Sequence, residues 1–333
     1  MYKSRRGFIK NTGLGLIGTW IGSSFLASCD NLTKAKGTGP FAHIGLQLYT
    51  LRDLLSQDTK STLETVAKIG YGHVETYGLD LGTGKFWTTS TVDELHKILE
   101  DNGLKTYSGH YDLSKYLSKS HQDKESIEQY IEAAHKLGQK YVIAPVPPMF
   151  DLNNLNVSDY QYAAEQLNKA GEMAKKAGIK MGYHNHFWEF RSFPNGTRGL
   201  DILLAFTEPD LVAFELDIYW AEKSGINPVS YFNKFPGRFH LWHIKDMDRA
   251  YTTPVVGEPY DTMPLDSITS KEVRFAEVGS GAIDYVTLIN NAENAGLNYA
   301  FVEQDQIYLP NKFESIKKSY DYVQKHLAKQ KSI

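Results

Sequence analysis

From residue 43 to His326 the chain repeats one unit: a short apolar or β-branched run, then a stretch with apolar residues at helical spacing. Switching between a period of 2 and a period of 3.6 along one chain limits the fold to an α/β architecture with a largely parallel sheet. The strand candidates are HIGLQLYTL (43–51), HVETYG (73–78), KTYSGHYDL (105–113), KYVIAPV (140–146), the run opening KMGYHNHFWEF (180–190), VAFELDIYW (212–220), FHLWHIKD (239–246) and YAFVEQD (299–305). Helical patterning follows nearly every one, over 59–69, 91–102, 123–137, 158–177, 200–206, 228–235, 283–295 and 313–326. Gly70, Gly103 and Gly138 stand just past three of these helices, where a left-handed C-terminal cap belongs.

Eight strand–helix units in about 290 residues favour a closed (β/α)8 TIM barrel over an open doubly wound sheet. No GxGxxG follows the first strand, which removes the usual dinucleotide-binding signal. The expectation is one domain, 43–330. Its seventh connection, 247–276, contains Pro254, Pro259 and Pro264 and reads as a lid or binding loop.

In such barrels the active site lies at the C-terminal mouth of the strands. The last four strand ends carry His184, Asn185, His186 and Glu189; Glu215 and Asp217; His243 with Lys245 and Asp246; and Glu303. A lone histidine or aspartate at a strand end is usually a core hydrogen-bonding group or a helix cap. Their recurrence at consecutive strand ends points instead to a shared centre. Imidazole and carboxylate without thiolate suit one divalent ion, Mn²⁺, Mg²⁺, Co²⁺ or Zn²⁺. The working ligand set is His186, Asp217, His243 and Glu303. Strand alternation puts His184 and His186 on one face, so which of them is the fifth-strand ligand stays open. Glu189, His184 and Lys245 are the candidate catalytic groups. Gln47, Glu75, His110, Asn185, Glu215 and Trp220 are placed to contact substrate, with Glu215 one layer deeper as a second reading. Trp188, Tyr49 and Trp87 can also stack on a sugar face.

Ahead of the barrel, SRRGFIK (4–10) and the uncharged apolar run 12–27 read as a secretion signal with a twin-arginine start. Leu26-Ala27-Ser28-Cys29 resembles a lipobox, so residues 1–28 are expected to be removed and Cys29, the chain's single cysteine, to be lipidated. Residues 29–42 then form a polar linker. The expected location is the periplasm or outer envelope, with membrane attachment through the lipid alone. The net charge of -3 and pI near 6.4 give no basic footprint for nucleic acid.

YHNHFWEF, ELDIYWA, HIKDMD, EVGSGAID and FVEQD resemble the motifs of the sugar phosphate isomerase/epimerase group of xylose isomerase-like barrels, which is also related to endonuclease IV. The resemblance runs from His43 to the final helix. It implies one divalent ion held from the last four strands, by Asp217, His243 and Glu303 here. The fifth-strand position departs from the group's Glu-Pro-x-Asn form, since this chain has His184-Asn185-His186. Implied chemistry is proton removal beside a carbonyl, giving an enediolate. Reprotonation elsewhere isomerises or epimerises a sugar, and expulsion of a β-group makes the enzyme a lyase or dehydratase. Export argues for a non-phosphorylated small-molecule carbohydrate, a keto-sugar or oxidised glycoside. A carbohydrate-binding lipoprotein without activity and an endonuclease-like phosphodiesterase are the competing classes, the latter disfavoured by the acidic balance. A homo-oligomer is compatible with all of these.

Overall fold

The structure, a computed structural model, describes residues 45–121, 123–145 and 155–328. The expected secretion signal, the Cys29 lipidation and the expected linker fall on residues 1–42, which lie outside the described residues. Eight parallel strands, β1 (Gly45–Gln47), β2 (His73–Tyr77), β3 (Lys105–His110), β4 (Tyr141–Ala144), β5 (Lys180–His184), β6 (Val212–Asp217), β7 (Phe239–Ile244) and β8 (Tyr299–Val302), close into a barrel in sequence order. The crossover helices are α1 (Thr59–Ile69), α2 (Val92–Asp101), α3 (Ile127–Lys136), α4 (Val157–Lys176), α5 (Gly199–Phe206), α6 (Pro228–Lys234), α7 (Tyr285–Ile289) and α8 (Lys312–His326). Among the described residues no helix is long and apolar enough to cross a membrane.

Local chemistry sets the element ends. Asp58, Thr91 and Ser126 accept hydrogen bonds from backbone N–H groups in the first turns of α1, α2 and α3, and Asn156 with Asp159 forms a capping box on α4. The Ser126 cap starts α3 four residues later than its periodicity implies. Gly70, Gly103 and Gly138 all have positive φ, as the capping pattern requires. The first strand is shorter than expected: the Gln47 side chain accepts from Tyr49 N at 3.0 Å and turns the chain into a 3-10 helix over Leu48–Leu51.

The barrel floor is apolar and aromatic. Tyr141, Ile143, Ala213, Leu241 and Phe301 pack together inside it, and Tyr107 stacks on Tyr299 with ring centroids 4.5 Å apart. Gly182 lets Ile143 pack close: a Cβ there would lie 2.3 Å from Ile143 Cδ1 and would force that methyl group to move. With the floor filled, the polar residues at the C-terminal strand ends face an upper chamber.

The long seventh connection folds back over that chamber. An antiparallel ribbon pairs Asp246–Met247 with Phe275–Ala276, and between them lies a short helix, Leu265–Lys271. The insert is anchored by its own apolar cluster, in which Val255, Ile268, Val273 and Phe275 pack against Phe187, Tyr219 and Trp220. Lys223, at the end of the short helix Ile218–Lys223, donates to Tyr251 O at 2.6 Å and Thr253 O at 2.8 Å. Asp246 makes no ion pair with Lys245. Its carboxylate accepts from the backbone N–H groups of Met247, Gly279, Gly281 and Ile283 at 2.8–3.1 Å, tying the ribbon to the 279–283 turn.

Candidate metal centre and pocket

Parallel register brings the polar strand ends together in two layers. Asp217 on β6 is the Cα partner of His243 on β7, His184 on β5 is the partner of Glu215 on β6, and Gln47 on β1 is the partner of Glu75 on β2. Because residues two apart share a strand face, Glu215 and Asp217 both point into the barrel, one layer apart.

The upper layer contains Asp217, His243, Lys245 and Glu303. His243 Nδ1 is 2.6 Å from Glu303 Oε2 and 3.9 Å from Asp217 Oδ2, and His184 Nε2 is 3.7 Å from the same Asp217 oxygen. Lys245 Nζ lies 2.9 Å from Asp217 Oδ2, 2.8 Å from Glu303 Oε2 and 2.7 Å from Asp305 Oδ1. Asp217 Oδ1 faces away and accepts from Trp220 N at 2.9 Å, capping the helix Ile218–Lys223. Asp217 Oδ2, His243 Nδ1 and Glu303 Oε2 are buried without a hydrogen bond of ordinary geometry. Crowded, buried donor atoms of mixed imidazole and carboxylate type, the carboxylate oxygens neutralised by the Lys245 ammonium, are the donor set a divalent cation takes, so the residues fit such an ion.

Beneath lie Glu75, Glu215, Gln47 and the inner nitrogens of the histidines. Glu75 Oε2 is 2.7 Å from His243 Nε2 and accepts from Gln47 Nε2 at 2.7 Å. Glu215 Oε2 is 2.7 Å from His110 Nε2, 3.2 Å from His243 Nε2 and 3.3 Å from His184 Nδ1. His110, His184, Glu215 and His243 also stand close enough to one another to surround a cation.

Burial and charge act oppositely across this cluster. Desolvation alone would raise Glu215 and Glu303, but His243 beside Glu215, and Lys245 and His243 beside Glu303, hold both well below the usual carboxylate range. Burial raises Glu75, and the Glu215 charge adds to that. For Asp217 burial also wins, pushing it up to about 6 despite Lys245. Burial would lower Lys245, yet Asp217, Asp305 and Glu303 keep it well above its ordinary value, as an ammonium. His184 is pushed down to about 3 by burial and by the neighbouring His243, which leaves it a neutral imidazole.

A cavity of about 620 Å³ opens above the centre. His110, His184, His186, Lys245, Glu303 and Asp305 line its polar end, and Tyr49, Tyr77, Trp220, Val273 and Phe275 line its apolar walls. The insert supplies Thr269, Val273 and Phe275 to this wall, so it does build part of a binding chamber.

The sequence-derived residues divide accordingly. His184 is the fifth-strand histidine brought into the donor cluster. His186 follows the strand end, with its ring stacked on Trp188 at 4.3 Å, and it joins neither donor group. Glu189 does not reach the cavity: its oxygens accept from Tyr183 OH at 2.6 Å and His186 N at 2.8 Å, which corrects its candidacy as the base. Gln47, Glu75 and Glu215 are likewise fully buried in the lower layer and line no part of the cavity, so the expectation of direct substrate contact is corrected for them too. Asn185 accepts from Asp217 N at 3.2 Å and lines no part of the cavity. His110 and Trp220 do line it, whereas Trp87 packs on Tyr77 and Phe86. Asp305, two residues past Glu303, was missed by sequence reasoning, although its place in FVEQD, on the face of Glu303, was a usable signal.

The sequence profile of the xylose isomerase-like TIM barrel family matches residues 63–325. A crystal structure of a sugar phosphate isomerase/epimerase from Parabacteroides distasonis ATCC 8503 superposes with a TM-score of 0.68 at 30% identity, covering 90% of this chain and 97% of that one. Inosose dehydratase of Clostridium botulinum (strain Alaska E43 / Type E3) is 25% identical over 230 residues, 65% of this chain and 74% of that protein. Inosose dehydratase of Geobacillus kaustophilus (strain HTA426) is 23% identical over 292 residues, 81% of this chain and 87% of that protein. With the closed eight-stranded barrel and its polar mouth, these matches place the chain: it belongs to the xylose isomerase-like TIM barrel family.

Proposed function

We propose that the chain is a divalent-metal-dependent sugar isomerase or epimerase acting through an enediolate on a non-phosphorylated keto-sugar or oxidised glycoside. One observation carries the reading: buried imidazole and carboxylate donors converge under a cavity that has a polar floor and aromatic walls. His184 Nε2, Asp217 Oδ2, His243 Nδ1 and Glu303 Oε2 would hold the ion. A bound divalent cation supplies polarisation of a substrate carbonyl, which acidifies the neighbouring C–H.

The chain's own groups do the rest. Lys245, kept as an ammonium by three carboxylates, stabilises the negative charge that develops on the enediolate oxygen. His110 faces the cavity with Nε2 on the buried Glu215 carboxylate, an arrangement in which the ring can take up a proton and be stabilised as imidazolium. Trp220, Phe275 and Tyr77 offer faces to the apolar side of a sugar ring and keep water from the chamber. Among the described residues Lys245 and Arg52 are the only lysine or arginine lining the cavity, and Lys245 is already bound by carboxylates. Arg52 pairs with no carboxylate among the described residues, so the preference for a substrate without a phosphate rests on the expected export of the chain. The N-terminal signal and Cys29 lipidation belong to the same proposal, with the enzyme acting in the periplasm or outer envelope.

Similarity to inosose dehydratases favours a second reading, elimination of water from the same enediolate. Incubation of the purified protein with keto-sugars and oxidised glycosides in deuterated water, followed by NMR, tests both. Deuterium at the carbon beside the carbonyl with conserved mass composition supports the isomerase, and a dehydrated product supports the second reading. No exchange with any such compound would sink the enediolate chemistry.

A further inference from the structure

We infer that Glu215 and Glu75 are positioning residues, two buried carboxylates that fix which nitrogen of His184 and of His243 faces the ion. The inference rests on the metal reading above. Each ring is held between the two layers. His184 has Nδ1 at 3.3 Å from Glu215 Oε2, within ion-pair distance but outside ordinary hydrogen-bond geometry, and Nε2 at 3.7 Å from Asp217 Oδ2. His243 has Nε2 at 2.7 Å from Glu75 Oε2 and Nδ1 at 2.6 Å from Glu303 Oε2. A carboxylate that accepts an N–H from one side of an imidazole leaves the opposite nitrogen with its lone pair, aimed at the upper donor set. The same contact makes that lone pair more basic and stops the ring from rotating.

The lower carboxylates are themselves pinned, so they can impose this geometry. Gln47 Nε2 donates to Glu75 at 2.7 Å, and His110 Nε2 bonds Glu215 at 2.7 Å. Both glutamates are 0% exposed and neither lines the cavity, so an action on substrate must pass through the rings they touch. The competing arrangement is that Glu215, with His110, His184 and His243, binds an ion directly.

Co²⁺ titration of the full-length protein, followed by visible absorption, separates the two, with Glu215→Gln and Glu75→Gln as isosteric variants and thermal unfolding as the control for folding. Positioning predicts one Co²⁺ per chain in the parent. It predicts one in each variant as well, bound about 10- to 100-fold more weakly and with a displaced absorption band. Two ions in the parent and one in Glu215→Gln would make Glu215 a ligand and overturn the inference. One ion bound with parental affinity and spectrum in both variants would overturn it equally. If Glu215→Gln does not fold, Glu75→Gln decides by the same criteria. A parent that takes up no Co²⁺ overturns the metal reading itself, which is a different result from either of these.

Discussion

Asp217 directs its two carboxylate oxygens to different tasks: Oδ1 caps the helix Ile218–Lys223 through Trp220 N, and Oδ2 faces the donor cluster. Asp217→Asn keeps an oxygen for the cap and removes the charge. The variant should therefore unfold within about 1 kcal/mol of the parent. Loss of a ligand that supports several kcal/mol of transition-state stabilisation should lower kcat by roughly 10³-fold. Melting curves and turnover measured side by side check the split, and equal damage to both would contradict it. Glu189 supplies a pH test. Burial pushes it up to about 7 from an ordinary 4.5, against the hydrogen bonds from Tyr183 and His186 N. Between those two values the folded chain holds a proton that the unfolded chain releases, so stability falls as pH rises through this window, by on the order of 3 kcal/mol. Glu189→Gln should flatten that slope, and denaturant melts at pH 5 and pH 8 measure it; an unchanged slope would show that Glu189 is not its source. At this scale the sequence made Asp217, His243 and Glu303 legible, because each sits at the end of a β-run. The choice between His184 and His186 was not legible from alternation alone. It depends on β5 ending at His184, after which the chain turns into the 3-10 helix Trp188–Phe190.

The element that most shapes the chamber is the insert between β7 and β8. Its proline content announced a lid or binding loop. What fastens it was hidden, because Lys223 reads as a surface lysine on a short helix. In the fold it is 0% exposed and donates to two carbonyls of the insert. Lys223→Met should leave Tyr251 O and Thr253 O unpaired and cost about 1–3 kcal/mol. KM should rise more than kcat falls, since Thr269, Val273 and Phe275 are displaced from the cavity wall. Limited proteolysis should cut within 248–274 faster than in the parent, and unchanged cleavage there would contradict the anchoring role. Strand β5 carries a second test. Gly182→Ala places a methyl group 2.3 Å from Ile143 Cδ1 and should cost about 1–3 kcal/mol through overpacking of the floor. The C-terminal ends of α1, α2 and α3 were readable from the glycine caps, whereas the start of α3, set by Ser126, was not. Strand lengths were not, because the apolar run continues past the point where Gln47 turns β1 into a helix.

For the whole molecule, the count of strand–helix units identified the barrel, since few α/β folds contain eight and the closed form leaves no sheet edge to protect. The upper donors come from the consecutive, paired strands β5 to β8, while closure brings in the lower layer, where Glu75 on β2 and His110 on β3 reach His243 and Glu215 across the barrel. An ion that binds only the folded barrel must stabilise it by mass action, so chelation should lower Tm and added Mn²⁺ or Co²⁺ should restore it in a concentration-dependent way. The most direct measurement is elemental analysis of the purified protein beside a Glu303→Gln/His243→Ala double variant. A metal-dependent barrel predicts close to one Mn, Co, Zn or Mg per chain in the parent and its loss in a variant that remains folded. A parent that is metal-free and stays inactive after Mn²⁺ or Co²⁺ is added would contradict it.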